Sequence, residues 1–175
     1  ASDVYKRQDP TRPVMFDGDA DPAGKADIVN LHYPREFPKW NLWPETAYWF
    51  DRAIVPDSYP RRQWQWDRKK PLYLGEFLWV PARELDAASL FFGDAAYPDI
   101  ETYHRKAKAA AWQMQVIAAR DAGVSGLCPW NLWEMGEFPS LASEAHRRAY
   151  QPVAAFLVES STRVFAGSKL KRTVT

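Results

Sequence analysis

The chain holds one cysteine, Cys128, in 175 residues. It can therefore form no internal disulfide and offers no cysteine cluster to a metal. An excess of either sign of charge is nearly absent, since 23 Lys and Arg against 22 Asp and Glu leave a net +1. That is too little for the clustered basic surface that a nucleic-acid backbone requires. No apolar run approaches the length of a membrane span, and the first residues carry no signal-peptide core. No Gly-rich phosphate loop follows any strand-like stretch, which disfavours a doubly wound nucleotide-binding sheet. No Gly-x-Ser-x-Gly occurs, and Cys128 falls inside an apparently buried strand, so serine- and cysteine-nucleophile chemistry are disfavoured too.

What the chain has in excess is aromatic surface: 9 Trp, 8 Tyr and 9 Phe, with 14 Pro. A hydrophobic fraction of 46% beside 26% charged residues marks a globular chain. Extra tryptophans serve either a bulky core or a surface that stacks on planar or sugar-ring faces.

In chain order, residues 1–8 lack periodicity, and Asp3-Val4-Tyr5-Lys6-Arg7-Gln8 resembles translated adaptor sequence. They are expected to be non-native. Val14-Met15-Phe16 reads as a short strand ending in Asp17-Gly18-Asp19-Ala20-Asp21. That alternation is not a calcium loop, because Pro22 replaces the required glycine and Ile28 the bidentate glutamate. Residues 28–32 form a second strand, followed by an aromatic loop over 37–43 and a helix over 44–53. A connection over 80–98 is too long to be routine and is expected to be a functional or mobile loop. Asp99 caps a helix over 99–122 that ends at Gly123. Its predicted apolar stripe is Tyr103, Ala107, Ala110, Met114, Ile117 and Ala118. Residues 126–129 form another strand, residues 143–158 a last helix, and the remainder short alternating pieces.

The strand around which this order is arranged is Lys70-Pro71-Leu72-Tyr73-Leu74-Gly75-Glu76-Phe77-Leu78-Trp79. Its apolar part, residues 72–74, suits burial on both faces. Gly75 permits a close backbone approach. Glu76 stands just beyond the carboxyl end: by spacing alone it reads as a surface glutamate after a core strand, and by position as a functional carboxylate where parallel α/β folds place their chemistry. Four strands separated by long or helical crossovers read as parallel. A closed (β/α)8 barrel needs eight, so the chain supplies about half of one.

These segments, taken in order, resemble family 2 glycoside hydrolases of clan A, the β-galactosidase, β-glucuronidase and β-mannosidase types. Asp9-Pro10-Thr11-Arg12-Pro13-Val14 is similar to the approach to their fifth barrel strand. Asp27-Ile28-Val29-Asn30-Leu31-His32-Tyr33-Pro34 is similar to the sixth, residues 70–77 to the seventh and residues 126–133 to the eighth. Arg163-Val164-Phe165-Ala166-Gly167 resembles the linker into a following β-sandwich. The resemblance implies an α/β fold: a partial (β/α)8 TIM barrel, strands 5 to 8 with their helices, then the start of a β-sandwich linker. Residues 9–160 would be the C-terminal half of the catalytic barrel, and residues 161–175 the start of a β-rich domain.

For the site, the resemblance implies a retaining exo-β-glycosidase, β-galactosidase type, acting by double displacement on a carbohydrate substrate. Glu76 would be the nucleophile. Tyr33 either donates a hydrogen bond to that carboxylate or is an amphipathic core residue. His32 either bonds a sugar hydroxyl or is satisfied by its neighbours. On a regular strand only one of these two faces the site. Trp130 is either the platform under the sugar or a core residue, and Trp133, Trp79 and Trp40 are rim candidates. Glu134 is assigned to structure or substrate hydroxyls. Asp17 and Asp19 reach the site or only shape a turn. No metal or other cofactor is called for. The clan's acid/base glutamate follows an asparagine, and no Asn-Glu dipeptide occurs in this chain. The resemblance places it upstream, in the missing N-terminal half of the barrel, so the chain reads as a fragment expected to be inactive alone. The alternative is a non-catalytic carbohydrate-binding barrel fragment. Stacking on single-stranded nucleic acid lacks its electrostatic groove.

Overall fold

Three strands pair in parallel in the order β1 (Val29–His32), β2 (Leu72–Phe77), β3 (Gly126–Pro129). A parallel bridge from Met15 to Ile28 extends the same order by one step on the β1 side. The architecture, seen in a computed structural model that describes residues 2–18, 21, 23–32, 64–77, 85–129, 140–157 and 164–175, is thus a small parallel sheet with helices. The helix expected over 44–53 and the aromatic loop over 37–43 lie outside the described residues.

One face of the sheet carries the core. Val29, Leu31, Leu72, Leu74 and Phe77 pack with Ala111, Trp112, Val116 and Ala119 of α3 (Ile100–Asp121), Ala142 and Ala149 of α4 (Leu141–Ala149), and Trp66. Leu72, Phe77, Trp112 and Val116 have no exposed surface. Each such large side chain contributes about 1.5–3 kcal/mol by leaving water.

Helix α3 begins and ends where local chemistry dictates. Asp99 accepts a hydrogen bond from the Thr102 N–H at 3.2 Å, satisfying one of the free donors of the first turn. At the other end Gly123 adopts φ +77. Its N–H bonds Arg120 O and that of Val124 bonds Ala119 O, the paired closure of a Schellman motif. The buried face differs from the predicted stripe. Ala107, Lys108, Ala111, Trp112, Gln115, Val116 and Ala119 are buried, and of the predicted set only Ala107 is among them. The helix turns to bury Trp112, its largest apolar side chain. Lys108 tolerates that face because its ammonium lies over the indole ring, 5.0 Å from the centroid.

Helix α4 starts two residues before the position expected and stops well short of 158. Ser140 and Ser143 form a reciprocal capping box, each hydroxyl accepting from the other's backbone N–H at 3.1 and 2.8 Å. Pro152 explains the early stop: it cannot donate a helical hydrogen bond and disfavours helical backbone at Gln151. The stretch expected to be an irregular excursion contains α2 (Leu85–Phe92) and a 3₁₀ turn (Gly93–Asp99), with Ala88 and Ala96 fully buried. Residues 1–8, which show no periodicity in sequence, contain α1 (Ser2–Gln8). Lys6 pairs with Asp27 at 2.5 Å and Asp3 with Lys25 at 2.7 Å, tying that helix to the turn before β1. These are exposed pairs worth little individually. Near the C-terminus, Leu157 and Val174 form an antiparallel bridge, with Phe156 and Thr175 exchanging backbone hydrogen bonds at 2.9 and 3.0 Å.

Candidate functional site

Glu76 belongs to β2 itself instead of following it. The register explains which way it points. Leu31 pairs with Leu74 and His32 with Glu76, so one step along β1 matches two along β2. On the other side Leu127 pairs with Leu74 and Pro129 with Phe77, so two steps match three. Strand β2 therefore carries one extra residue after Leu74, a β-bulge that re-aims the residues after it. On a regular strand Glu76 would share the core face with Leu72 and Leu74. With the bulge, Phe77 takes that face and is fully buried, while Glu76 falls on the opposite face with Tyr73 and Gly75.

That opposite face is polar. Asn30 and His32 of β1 lie on it, and the close approach expected at Gly75 is to these two side chains. The Gly75 N–H donates to Asn30 Oδ1 at 3.1 Å. A Cβ on Gly75 would collide with that oxygen and stand 2.7 Å from His32 Nε2. Asn30, 3% exposed, is not singled out by the sequence, because nothing local distinguishes it from a core asparagine. Gly75 is the available signal, since a glycine inside a strand marks a bulge or a close contact.

His32 stands between two carboxylates. Its Nδ1 is 3.6 Å from Glu76 Oε2, and its Nε2 is 3.0 Å from Asp17 Oδ1. The Glu76 separation exceeds a direct hydrogen bond, so the two groups are neighbours that a hydroxyl beside them could reach. Glu76 and His32 are partly buried, at 28% and 21% side-chain exposure, whereas Asp17 at 90% is in water. Beside this group, Tyr73 lies over Gly126, where any Cβ would strike its ring. Burial, and next the Cys128 thiol, raise the Tyr73 phenol above its ordinary range. Cys128, expected to be buried, is exposed, because it lies on this open polar face and not on the helix-covered one.

The aspartate alternation before β1 is organised by a side chain. Asp21 is buried, and its Oδ1 accepts from the N–H groups of Lys25 and Ala26 at 2.7 and 3.0 Å. Its Oδ2 accepts from Lys70 Nζ at 2.7 Å, and the same ammonium bonds Gly24 O at 3.1 Å and Ala26 O at 2.6 Å. Burial works against the Asp21 charge, but the Lys70 ammonium and the two backbone donors override it and hold the carboxyl below its ordinary range. The lysine fills the centre that a cation would take. Among the described residues, no group of three or more His, Cys, Asp and Glu side chains is arranged to hold a metal ion.

Of the site residues expected from sequence, Glu76 and His32 are brought together, and Asp17 joins them. Tyr33, Trp79, Trp130 and Trp133 lie outside the described residues, as do Trp40, Glu134 and Asp19. No family model, curated protein or solved structure matches this chain.

Proposed function

We propose that the chain is the C-terminal half of a family 2 type catalytic barrel, from a retaining exo-β-glycosidase of the β-galactosidase kind, with Glu76 as nucleophile. The observation that carries this reading is the bulge in β2. It turns a single carboxylate away from the core and onto the polar face at the carboxyl ends of parallel strands, where barrel enzymes hold their catalytic groups. The sequential strand order, with no reversal among the described strands, supports a barrel segment over a doubly wound sheet.

In this reading a Glu76 oxygen attacks the anomeric carbon and forms a glycosyl ester. The bond to the leaving oxygen breaks, and that oxygen takes its proton from an acid/base glutamate upstream of this sequence. Water, deprotonated by the same glutamate, then cleaves the ester and regenerates the Glu76 carboxylate. His32 bonds a sugar hydroxyl beside the reacting carbon. Tyr33 steadies the nucleophile, Trp130 provides the stacking platform, and Trp133 and Trp79 contact the sugar from the rim. The second reading is a barrel that binds carbohydrate without cleaving it, and it differs from the first in needing no Asn-Glu pair upstream of this sequence.

The test uses dinitrophenyl 2-deoxy-2-fluoro-β-galactoside, glucoside and mannoside. Their leaving group departs as a phenolate without needing a proton, so the missing acid does not block ester formation. The reagent is applied to this chain and to the polypeptide extended upstream, and adducts are mapped by peptide mass spectrometry. A fluoroglycosyl adduct on Glu76, lost in Glu76→Gln, is expected. An adduct on another residue, or turnover by the extended Glu76→Gln protein at near-normal rate, would overturn the assignment. Sugar binding by the extended protein with neither adduct nor turnover would establish the second reading instead.

A further inference from the structure

The turn at Asp17 and Gly18 meets the His32 ring twice. Asp17 Oδ1 lies 3.0 Å from Nε2 at the ring's edge. Gly18, buried and at φ +64, lies against the ring's face: a Cβ there would stand 2.9 Å from Cγ and 3.0 Å from Nδ1. The turn precedes β1, His32 ends β1, and Glu76 sits in β2, so two other segments converge on the imidazole that β1 carries.

A neutral imidazole carries its proton on one nitrogen and accepts on the other, and the partner of one nitrogen decides the role of the second. A carboxylate can only accept. Asp17 beside Nε2 therefore selects the tautomer protonated there, leaving Nδ1 as an acceptor directed toward Glu76, 3.6 Å from its Oε2. A hydroxyl beside this pair can donate to Nδ1 while its oxygen stays near the carboxylate.

We infer that Asp17 is a positioning residue. It fixes the tautomer and orientation of His32, with Gly18 as a flat stop against the ring, so that Nδ1 accepts a substrate hydroxyl next to Glu76. The catalytic consequence rests on the glycosidase reading above; the ring geometry does not. Because Asp17 is 90% exposed, its removal takes nothing from the core. In Asp17→Asn the amide oxygen could still accept from Nε2–H, whereas Asp17→Ala leaves no acceptor there.

The experiment follows His32 by two-bond 1H–15N correlation in the 15N-labelled protein. Alongside it, the second-order rate of Glu76 labelling by the fluoroglycoside that reacts best is measured. Wild type and Asp17→Asn should show His32 protonated on Nε2, and Asp17→Ala should show a mixture of tautomers. Labelling should fall about fivefold in Asp17→Ala, as expected for one net hydrogen bond, and return to within about twofold of wild type in Asp17→Asn. Gly18→Ala should disturb the same His32 signals by pushing the ring. An Asp17→Ala protein with wild-type signals and rate would overturn the inference, as would Asp17→Asn behaving like Asp17→Ala. If wild type is never labelled at Glu76, the glycosidase reading fails by itself, and the His32 tautomer in Asp17→Ala still decides the role of Asp17.

Discussion

Acidification should unfold this protein partly through one histidine between its two main helices. His146 of α4 lies edge-on to Trp112 of α3, with ring centroids 5.4 Å apart, and 4.9 Å from the Tyr150 ring. Both of its ring nitrogens are buried and, among the described residues, have no hydrogen-bond partner. A proton would thus place an unpaired cation against the core, and burial pulls the pKa from its ordinary 6.5 down to about 4. Between those two values the unfolded chain binds the proton and the folded chain does not. Stability from the neutral ring is therefore complete above pH 6.5 and is lost as pH falls toward about 4. At 1.36 kcal/mol per pKa unit the gap corresponds to about 3.4 kcal/mol, and partial solvent access reduces this to about 2 kcal/mol. His146→Phe keeps an aromatic ring in the site and removes the titration. Urea unfolding at pH 7.5, 5.5 and 4.0, followed by far-ultraviolet circular dichroism, should show wild type losing about 2 kcal/mol more than the variant. Ellipticity is the better signal, since an imidazolium beside Trp112 would itself alter fluorescence. Asp9, Asp21, Asp27, Asp99 and Glu144, whose carboxyls are all held below their ordinary range, lose stabilisation in acid equally in both proteins. Parallel pH dependences for the two proteins would refute the reasoning.

Gly75→Ala should cost about 1–3 kcal/mol, because its Cβ meets the Asn30 amide and the His32 ring on the crowded face; urea midpoints measure this directly. Lys70→Met should cost about 2–3 kcal/mol, somewhat below the usual loss for a fully buried pair because Lys70 is 34% exposed. In the unmutated protein, chelators should leave the melting temperature unchanged, since the lysine already fills the loop's centre; a drop with EDTA would contradict that arrangement. Ser140→Ala should lower stability by about 1 kcal/mol through loss of the α4 cap, measured by thermal melting.

Features governed by neighbouring residues in the chain are legible in the sequence. Asp99 and Gly123 bracket α3 because a side-chain acceptor and a left-handed residue act on their own helix ends. The strand segments are legible from apolar runs, and their parallel pairing from the long intervals between them. Features that depend on partners distant in sequence are not. The bulge in β2 is defined only against β1 and β3, so the sequence puts Glu76 beyond the strand and not within it. The buried face of α3 follows Trp112 into the core and carries Lys108 and Gln115 with it, against the count of apolar positions. Cys128 looks buried from its neighbours in sequence, yet it faces the open side of the sheet. At the candidate site, Glu76 and His32 emerge from pattern, while Asn30 and the orienting contact of Asp17 require the fold. Pro152 is a local stop signal, and the helix expected through 158 overruns it.

The Lys70 ammonium has a consequence for how the chain folds. Its partners Asp21, Gly24 and Ala26 precede β1, while Lys70 itself stands two residues before β2. Loop and strand register are thereby fastened by the same three bonds, across 44 to 49 residues of chain. Closing so long a segment is entropically slow, and little rewards it until the strands align. The turn bearing Asp17 and Gly18, only a few residues before Asp21, is therefore expected to order late, in the same cooperative step that zips β1 to β2. Refolding would then build the sheet and complete the surroundings of Glu76 at one moment, with no stage at which the carboxylate is aligned and its histidine is not.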